Sequence, residues 1–204
     1  MLLLISALIS SCQDENAESN IGYLRLEVST NAFVNPQTKI VNDYNPKQIA
    51  LQILNADNTV VKETDDWETL AGKQLRLQPG IYTIKAFSYG FDGSESGFDI
   101  PYYTGSEKLT IESGKEKTAN VTCTLANVKV TVKFDQSFIN SFQSAQATVA
   151  SKLPHINALD FTMGETNKPA YFPVGNLSTT VSVTNKSGKK FTQTNEITLS
   201  LIHI

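Results

Sequence analysis

The stretch VTCTLANVKVTVKF, residues 121–134, decides the fold. Valine, threonine and phenylalanine dominate it, and these residues fit a pleated, half-buried strand surface. The apolar side chains fall on odd positions up to Leu125 and on even positions from Val128 onward. Because strand side chains alternate with period two, a strand changes its buried face only through a bulge or a break. We therefore predict that the chain leaves one β-sandwich at Ala126-Asn127 and starts a second one. The alternative is a bulge within a single sheet.

Short strand patterns flank this stretch on both sides. Before residue 137 about seven are predicted, with turns at the spacing typical of a sandwich. They include residues 21–28, 48–54, 60–61, 74–77, 81–89, 109–111 and the stretch from Val121. Further along, strands are predicted at residues 159–163, 177–183 and 197–202. Residues 137–150 fit either a short helix or a loop followed by a strand at 145–149. The predicted class is all-β.

Composition excludes several functions. The chain has 204 residues and a net charge of -3, so it lacks the clustered basic face that binds nucleic acid. The cysteines are Cys12 and Cys123, and the histidines His155 and His203 have no ligand spacing. We therefore predict no metal site and no cofactor, and expect Cys123 to be a buried thiol that packs as a small hydrophobic residue.

The N-terminus has the pattern of a secretory signal. Residues 1–11, MLLLISALISS, are apolar but much shorter than the ~20 residues that span a bilayer. The sequence from Ile9 to Cys12, ISSC, resembles a bacterial lipobox. The resemblance implies cleavage between Ser11 and Cys12 and acylation of Cys12, for example by palmitate. The acidic segment at residues 12–21 is predicted to be a solvated, lipidated tether.

Three motifs resemble one protein family. They are PGIYTIKAFSYG from Pro79, FDIPYYTGSEKLTI from Phe98 and the stretch VTCTLANVKVTVKFD. Together they resemble lipoproteins of the Bacteroidetes, in a domain-of-unknown-function family related to the fimbrillins of type V pili. The resemblance implies two transthyretin-like or Ig-like sandwiches in series, at residues 22–126 and 127–204. The second is expected to be incomplete, because the sequence stops within an apolar strand pattern.

The same resemblance implies a function. It indicates a cell-surface lipoprotein of the outer membrane that faces the exterior and acts as a pilus anchor, tip or stalk, or as an adhesin. Its partners would be the membrane, through the lipid, and other pilus subunits, through strand donation. A host or bacterial surface ligand remains unidentified. In such pilins the first strand is removed after a basic residue, and Arg25 is the arginine in that strand. The alternative is that Arg25 is simply an outward-facing strand residue.

Catalytic motifs are absent from the sequence. It contains no G-x-S-x-G elbow, no Walker loop and no H-E-x-x-H, so no catalytic residue and no enzyme activity are predicted. Asp65 and Asp66 belong to an acidic cluster that we interpret as a solvated turn. Aromatic side chains could form a sugar-binding platform or pack in the core, and the candidates are Trp67, Tyr89, Tyr102 and Tyr103. The alternative function is therefore a surface glycan-binding lipoprotein of a polysaccharide-utilisation system.

Overall fold

The computed structural model describes residues 20–31, 49–90, 92–164 and 168–198. The predicted signal peptide with its cleavage site at Ser11, the predicted lipid attachment site Cys12 and residues 199–204 lie outside this part of the chain. The described part is almost entirely β-structure, with one short α-helix and one 3₁₀ helix. The predicted all-β class with sandwich-like domains is confirmed.

The N-terminal half forms a seven-stranded sheet. The strands up to residue 125 are β1 (Gly22–Asn31), β2 (Ile49–Leu54), β3 (Val60–Thr64), β4 (Leu75–Leu77), β5 (Gly80–Ser88), β6 (Gly97–Phe98), β7 (Tyr103–Ile111) and β8 (Glu116–Leu125). All except β6 join this sheet, in the order β3-β2-β5-β7-β8-β1-β4. In the β2–β3 turn, Asn58 adopts a positive φ of 60°, which asparagine tolerates.

Period-two alternation builds the first core. Every strand of the sheet except β3 sends apolar side chains into one cluster, so the sheet wraps around that cluster. Leu24 and Ile84 are fully buried there. The prediction that Cys123 is buried is confirmed, because its exposure is 0% and its thiol donates a hydrogen bond to the Ala86 carbonyl at 3.7 Å.

The chain changes sheet at the predicted phase shift. β8 ends at Leu125, and the next strand, β9 (Val128–Val130), pairs with a different sheet. Asn127 lies at the break and is only 6% exposed. Its side-chain oxygen accepts a hydrogen bond from the Tyr102 backbone N–H, and its amide nitrogen donates to the Ile100 carbonyl, both at 3.1 Å. Because a buried amide is costly unless both of its ends are paired, these bonds explain an asparagine at this position.

The C-terminal half packs two smaller sheets around a second core. Its elements after β9 are α1 (Gln136–Ser141), β10 (Phe142–Ser151), β11 (Leu159–Thr162), β12 (Ala170–Phe172), β13 (Leu177–Asn185) and β14 (Lys190–Ile197). One sheet has the order β11-β10-β13-β14 and the other β6-β12-β9. Both contribute to one apolar cluster, in which Phe98 of β6 meets Phe161 of β11 edge-on at 5.3 Å. The range 22–126 thus supplies one short strand to the second core.

Some predicted elements differ from the structure. Within the described residues, nine strands precede residue 137, compared with about seven predicted. Residues 121–134 were counted as one stretch, which the structure divides into β8 and β9, and the two residues of β6 are too few to give an alternating pattern. Both alternatives for residues 137–150 hold in part, since helix α1 is followed directly by the long strand β10. β14 was not predicted, and the strand predicted at 197–202 lies almost entirely outside the described residues. All eight residues of β14 are exposed, so burial imposes no apolar alternation on it.

Candidate functional site

A cleft of about 690 Å³ lies on the N-terminal sheet, beside β2, β3 and β5. Aromatic side chains and carboxylates line it, namely Phe87, Tyr89, Tyr102, Glu63, Asp65, Asp92 and Glu95. The alternation of β5 explains part of this arrangement. Ala86 and Ser88 point inward and are buried, whereas Phe87 is half-buried and Tyr89 is 52% exposed.

The segment after β5 forms one wall of the cleft. Asp92 accepts a hydrogen bond from the Ser94 backbone N–H at 2.9 Å, which fixes a tight turn. The pKa of Asp92 is lowered mainly by a hydrogen bond from the Ser94 side chain and secondly by the one from the Ser94 backbone N–H. Gly93 has a φ of 75°, and a Cβ atom on it would lie 2.7 Å from the Tyr102 ring. The Tyr102 ring therefore packs directly against glycine backbone, which holds it at the cleft.

The cleft is lined by negatively charged side chains. Glu63 accepts a hydrogen bond from the Gln52 side chain at 3.2 Å, and no lysine, arginine or histidine lines the cleft among the described residues. Lys85 lies next to this surface, opposite Gln52 in the register of β2 and β5. No group of three metal-ligating side chains occurs within the described residues. The cleft thus offers exposed aromatic rings and hydrogen-bond acceptors to a ligand.

The predicted aromatic platform is only partly assembled. Tyr102 lines the cleft and Tyr89 joins it there. Tyr103 is 6% exposed and belongs to the first core, so its ring presents no surface to a sugar. Trp67 packs against the same core, and its buried indole N–H has no hydrogen-bond partner in the structure. Tyr103 is the first residue of β7 and faces the core, whereas Tyr102 immediately precedes the strand and lines the cleft.

The predicted acidic turn has a structural role. Asp66 caps the 3₁₀ helix Trp67–Thr69 by accepting from the Glu68 backbone N–H at 3.0 Å. Glu63 and Asp65, which precede Asp66 in the chain, line the cleft instead. The acids of the opposite wall, Asp92 and Glu95, were not predicted as site residues. Only the path of the chain after β5 brings them near Glu63, and no local pattern encodes that path.

Arg25 lies in the middle of β1. Its Nε atom donates to Glu116 Oε1 at 2.8 Å, and its Nη1 atom lies 3.4 Å from the Gly72 carbonyl oxygen. The pKa of Glu116 is lowered mainly by the hydrogen bond from Arg25 and secondly by the one from Gln74. The flanking residues Leu24 and Leu26 are buried in the first core. The side chain is thus accessible to a protease, but the Arg25–Leu26 peptide bond is held within the sheet.

Among the described residues, no helix is long and apolar enough to cross a membrane.

Comparison with protein families gives one match, to the model named Domain of unknown function (DUF4493), over residues 20–200. No curated protein matches the chain.

Three solved structures resemble the fold. A candidate adhesin from Bacteroides ovatus has 11% identity and a TM-score of 0.43, with 96% of this chain and 88% of that chain covered. A candidate polysaccharide-binding protein (DUF1812) from Bacteroides thetaiotaomicron has 11% identity and a TM-score of 0.45, with coverages of 87% and 80%. The fimbrial anchor protein Mfa2 from Porphyromonas gingivalis has 13% identity and a TM-score of 0.37, with coverages of 84% and 82%. These identities and TM-scores are too low to support a conclusion about function.

Proposed function

The chain belongs to the DUF4493 family, and from this premise we propose that it is a cell-surface, lipid-anchored, fimbrillin-like protein that serves as a pilus component or adhesin. The observation that carries the proposal is the lipobox-like ISSC so close to the first strand. Cys12 precedes β1 by ten residues. Ten extended residues reach at most about 35 Å, so an acylated Cys12 would hold the sandwich next to the membrane.

The position of β1 supports a role in assembly. β1 pairs with β8 in parallel over nine residues and buries Leu24 and Leu26 in the first core. On its other side, within the described residues, it pairs only with the three residues of β4. Removal of β1 would expose the edge of β8 and an apolar groove, which a strand from another subunit could fill. Retention of β1 would leave a closed anchor or adhesin.

Membrane extraction tests this function. The surface-exposed protein should partition into detergent, and its intact mass should show loss of residues 1–11 and addition of acyl chains at Cys12. Cys12→Ala should release the protein from the membrane, because each buried CH₂ of an acyl chain contributes about 0.8 kcal/mol of binding. Unmodified protein that begins at Met1 would contradict the proposal. Bacteria that lack the gene should lose pili or adhere less to surfaces, and the wild-type gene should restore this.

The cleft favours a second candidate function, glycan binding at the cell surface. Tyr89 and Tyr102 offer aromatic faces on which a sugar ring can stack, and Gln52 and the carboxylates can bind hydroxyl groups. A glycan array with the purified protein tests this candidate. Binding of one glycan class that is lost in Tyr89→Ala would support it, whereas retention of binding in that variant would place the site elsewhere.

A further inference from the structure

β14 is an unusually open edge. Among the described residues it lies at the end of its sheet, and all eight of its residues are exposed. Its register with β13 is unbroken from Lys190 to Ile197. The five central residues, FTQTN, contain no charge and no proline. An edge of this length and regularity presents a row of unpaired backbone groups on which another strand can pair.

The other edge strands are protected. β3 carries Lys62 and Glu63 near its centre, and the register between β2 and β3 is interrupted by an irregularity. The remaining edge strands, β4, β6, β9 and β11, contain only two to four residues each. Charges, bulges and short length are the common means by which proteins block edge-to-edge association. Within the described residues, β14 is long, pairs without a register shift and carries charges only near its ends.

The charges at the two ends of β14 indicate what pairs with it. Lys190 and Glu196 have opposite charges and lie an equal distance on either side of Gln193. If a second copy of β14 runs antiparallel, with Gln193 opposite Gln193, each Lys190 faces a Glu196 of the other copy. Thr192 then faces Thr194, and cross-strand pairs of both kinds are favourable. Parallel pairing in register would instead place like charges side by side.

Hydroxyl side chains of β13 and β14 form a row that leads to the open edge of β14. On the face that carries Lys190 and Glu196, Thr194 contacts Thr180 at 2.9 Å and Thr192 contacts Ser182 at 3.2 Å between their hydroxyl oxygens. Two-fold pairing of β14 continues this row of hydroxyl groups into the second copy. Glu196 already accepts from Lys152 at 2.7 Å. A carboxylate has two oxygens, so it can also accept from a second lysine.

We propose that two copies of this chain associate through antiparallel pairing of their β14 strands, centred on Gln193. The result is a continuous eight-stranded sheet with two-fold symmetry, in which both β14 edges are paired and a β11 strand lies at each end. Such a contact closes on itself, unlike head-to-tail strand donation, which continues along a filament. It does not depend on the proposed surface function, and the two can fail separately.

Charge reversal in the full chain tests the proposal. All proteins carry Cys12→Ala, so that no lipid contributes to association, and their masses are followed by sedimentation over a concentration series. The parent should form a dimer. Lys190→Glu and Glu196→Lys should each weaken it by about tenfold or more, because two attractive pairs become repulsive. The double variant should restore the dimer, and a mixture of the two single variants should form mixed dimers.

A matched control separates this register from general charge effects. Lys186→Glu makes the same charge change in the β13–β14 turn, outside the proposed pairing, and should leave the dimer intact. Circular dichroism and melting curves should show that every variant is folded. Hydrogen exchange at residues 191–195 should slow as the dimer forms. A parent that stays monomeric would overturn the proposal, and so would a dimer that is unchanged by both reversals or is not restored by the double variant.

Discussion

Asn127 joins the end of the first core to the segment that precedes β7, through the 3.1 Å hydrogen bond from the Tyr102 backbone N–H to its side-chain oxygen. The neighbouring Ala126 backbone N–H donates to the Tyr102 carbonyl at 2.7 Å. The point at which the chain changes sheet is therefore bound from both sides to residues 100–102.

Asn127→Ala should destabilise the fold by about 1–3 kcal/mol, because it removes the two hydrogen bonds that the buried Asn127 side chain makes with the Tyr102 N–H and the Ile100 carbonyl. Chemical denaturation measures this change. Asn120→Ala, at an exposed position of β8, is the matched control and should change the free energy of unfolding by less than about 0.5 kcal/mol. Equal effects of the two substitutions would show that the Asn127 bonds contribute nothing specific.

Cys123 should be unreactive in the native state. With Cys12→Ala it is the remaining thiol, and a bulky reagent should label it only when the first core opens. Burial raises the pKa of this thiol from 9.0 to about 11. The folded state therefore disfavours the thiolate, and the stabilisation present below pH 9 should be lost as the pH rises toward 11.

Cys123→Ala should remove this contribution to the alkaline loss of stability. Unfolding midpoints measured from neutral pH to about pH 11 provide the comparison with the parent. Rapid labelling of the native parent, or identical alkaline profiles of the two proteins, would contradict the burial of this thiol.

Strand alternation made much of this fold predictable. In residues 121–134 the shift between Leu125 and Val128 predicted a change of sheet, and β8 and β9 do lie in different sheets. Alternation also predicted that Cys123 is buried. Alternation did not predict β14, because all of its residues are exposed and no position requires an apolar side chain. It did not predict β6 either, because two residues are too few to show a period.

The candidate site was less predictable, because it is made by tertiary proximity. Tyr102 and Tyr103 are the same residue type, and only the start of β7 at Tyr103 distinguishes the ring in the core from the ring at the cleft. Asp92 and Glu95 follow β5 in a polar segment and meet Glu63 only because that segment lies against β3 and β2. Local sequence encodes turns and faces, but it does not encode this contact.

Gly93→Ala should destabilise the cleft wall more than a positive φ alone explains. Gly93 and Gly72 have φ angles of 75° and 69°, but an added Cβ meets the Tyr102 ring only at Gly93. Gly72→Ala should cost about 1 kcal/mol from backbone strain, and Gly93→Ala should exceed that by about 1 kcal/mol or more. Denaturation of both variants checks this, and equal losses would show that Tyr102 moves aside freely.

Arg25 gives a prediction about processing. If the protein is a polymerising subunit, a trypsin-like protease should cut after Arg25 and the surface form should begin at Leu26. Arg25→Ala should then abolish this cut and retain the N-terminal segment, whereas Arg76→Ala, at the other arginine, should not. N-terminal sequencing of surface material decides this. A blocked N-terminus at Cys12 in all surface protein would identify a retained strand and hence an anchor or adhesin.

Tyr89 should be the most informative residue for ligand binding at the cleft. Its ring is 52% exposed and makes no core contact, so Tyr89→Ala should leave the melting temperature nearly unchanged. If a sugar stacks on this ring, the same change should weaken binding of a glycan by at least about fivefold, as expected when a central contact is truncated. Titration calorimetry with a glycan selected on the array measures the affinity. Tyr23→Ala, on the outward face of β1, removes an aromatic ring away from the cleft and should preserve binding. Loss of affinity in both variants, or in neither, would remove the cleft as the glycan site and leave assembly or adhesion through other surfaces.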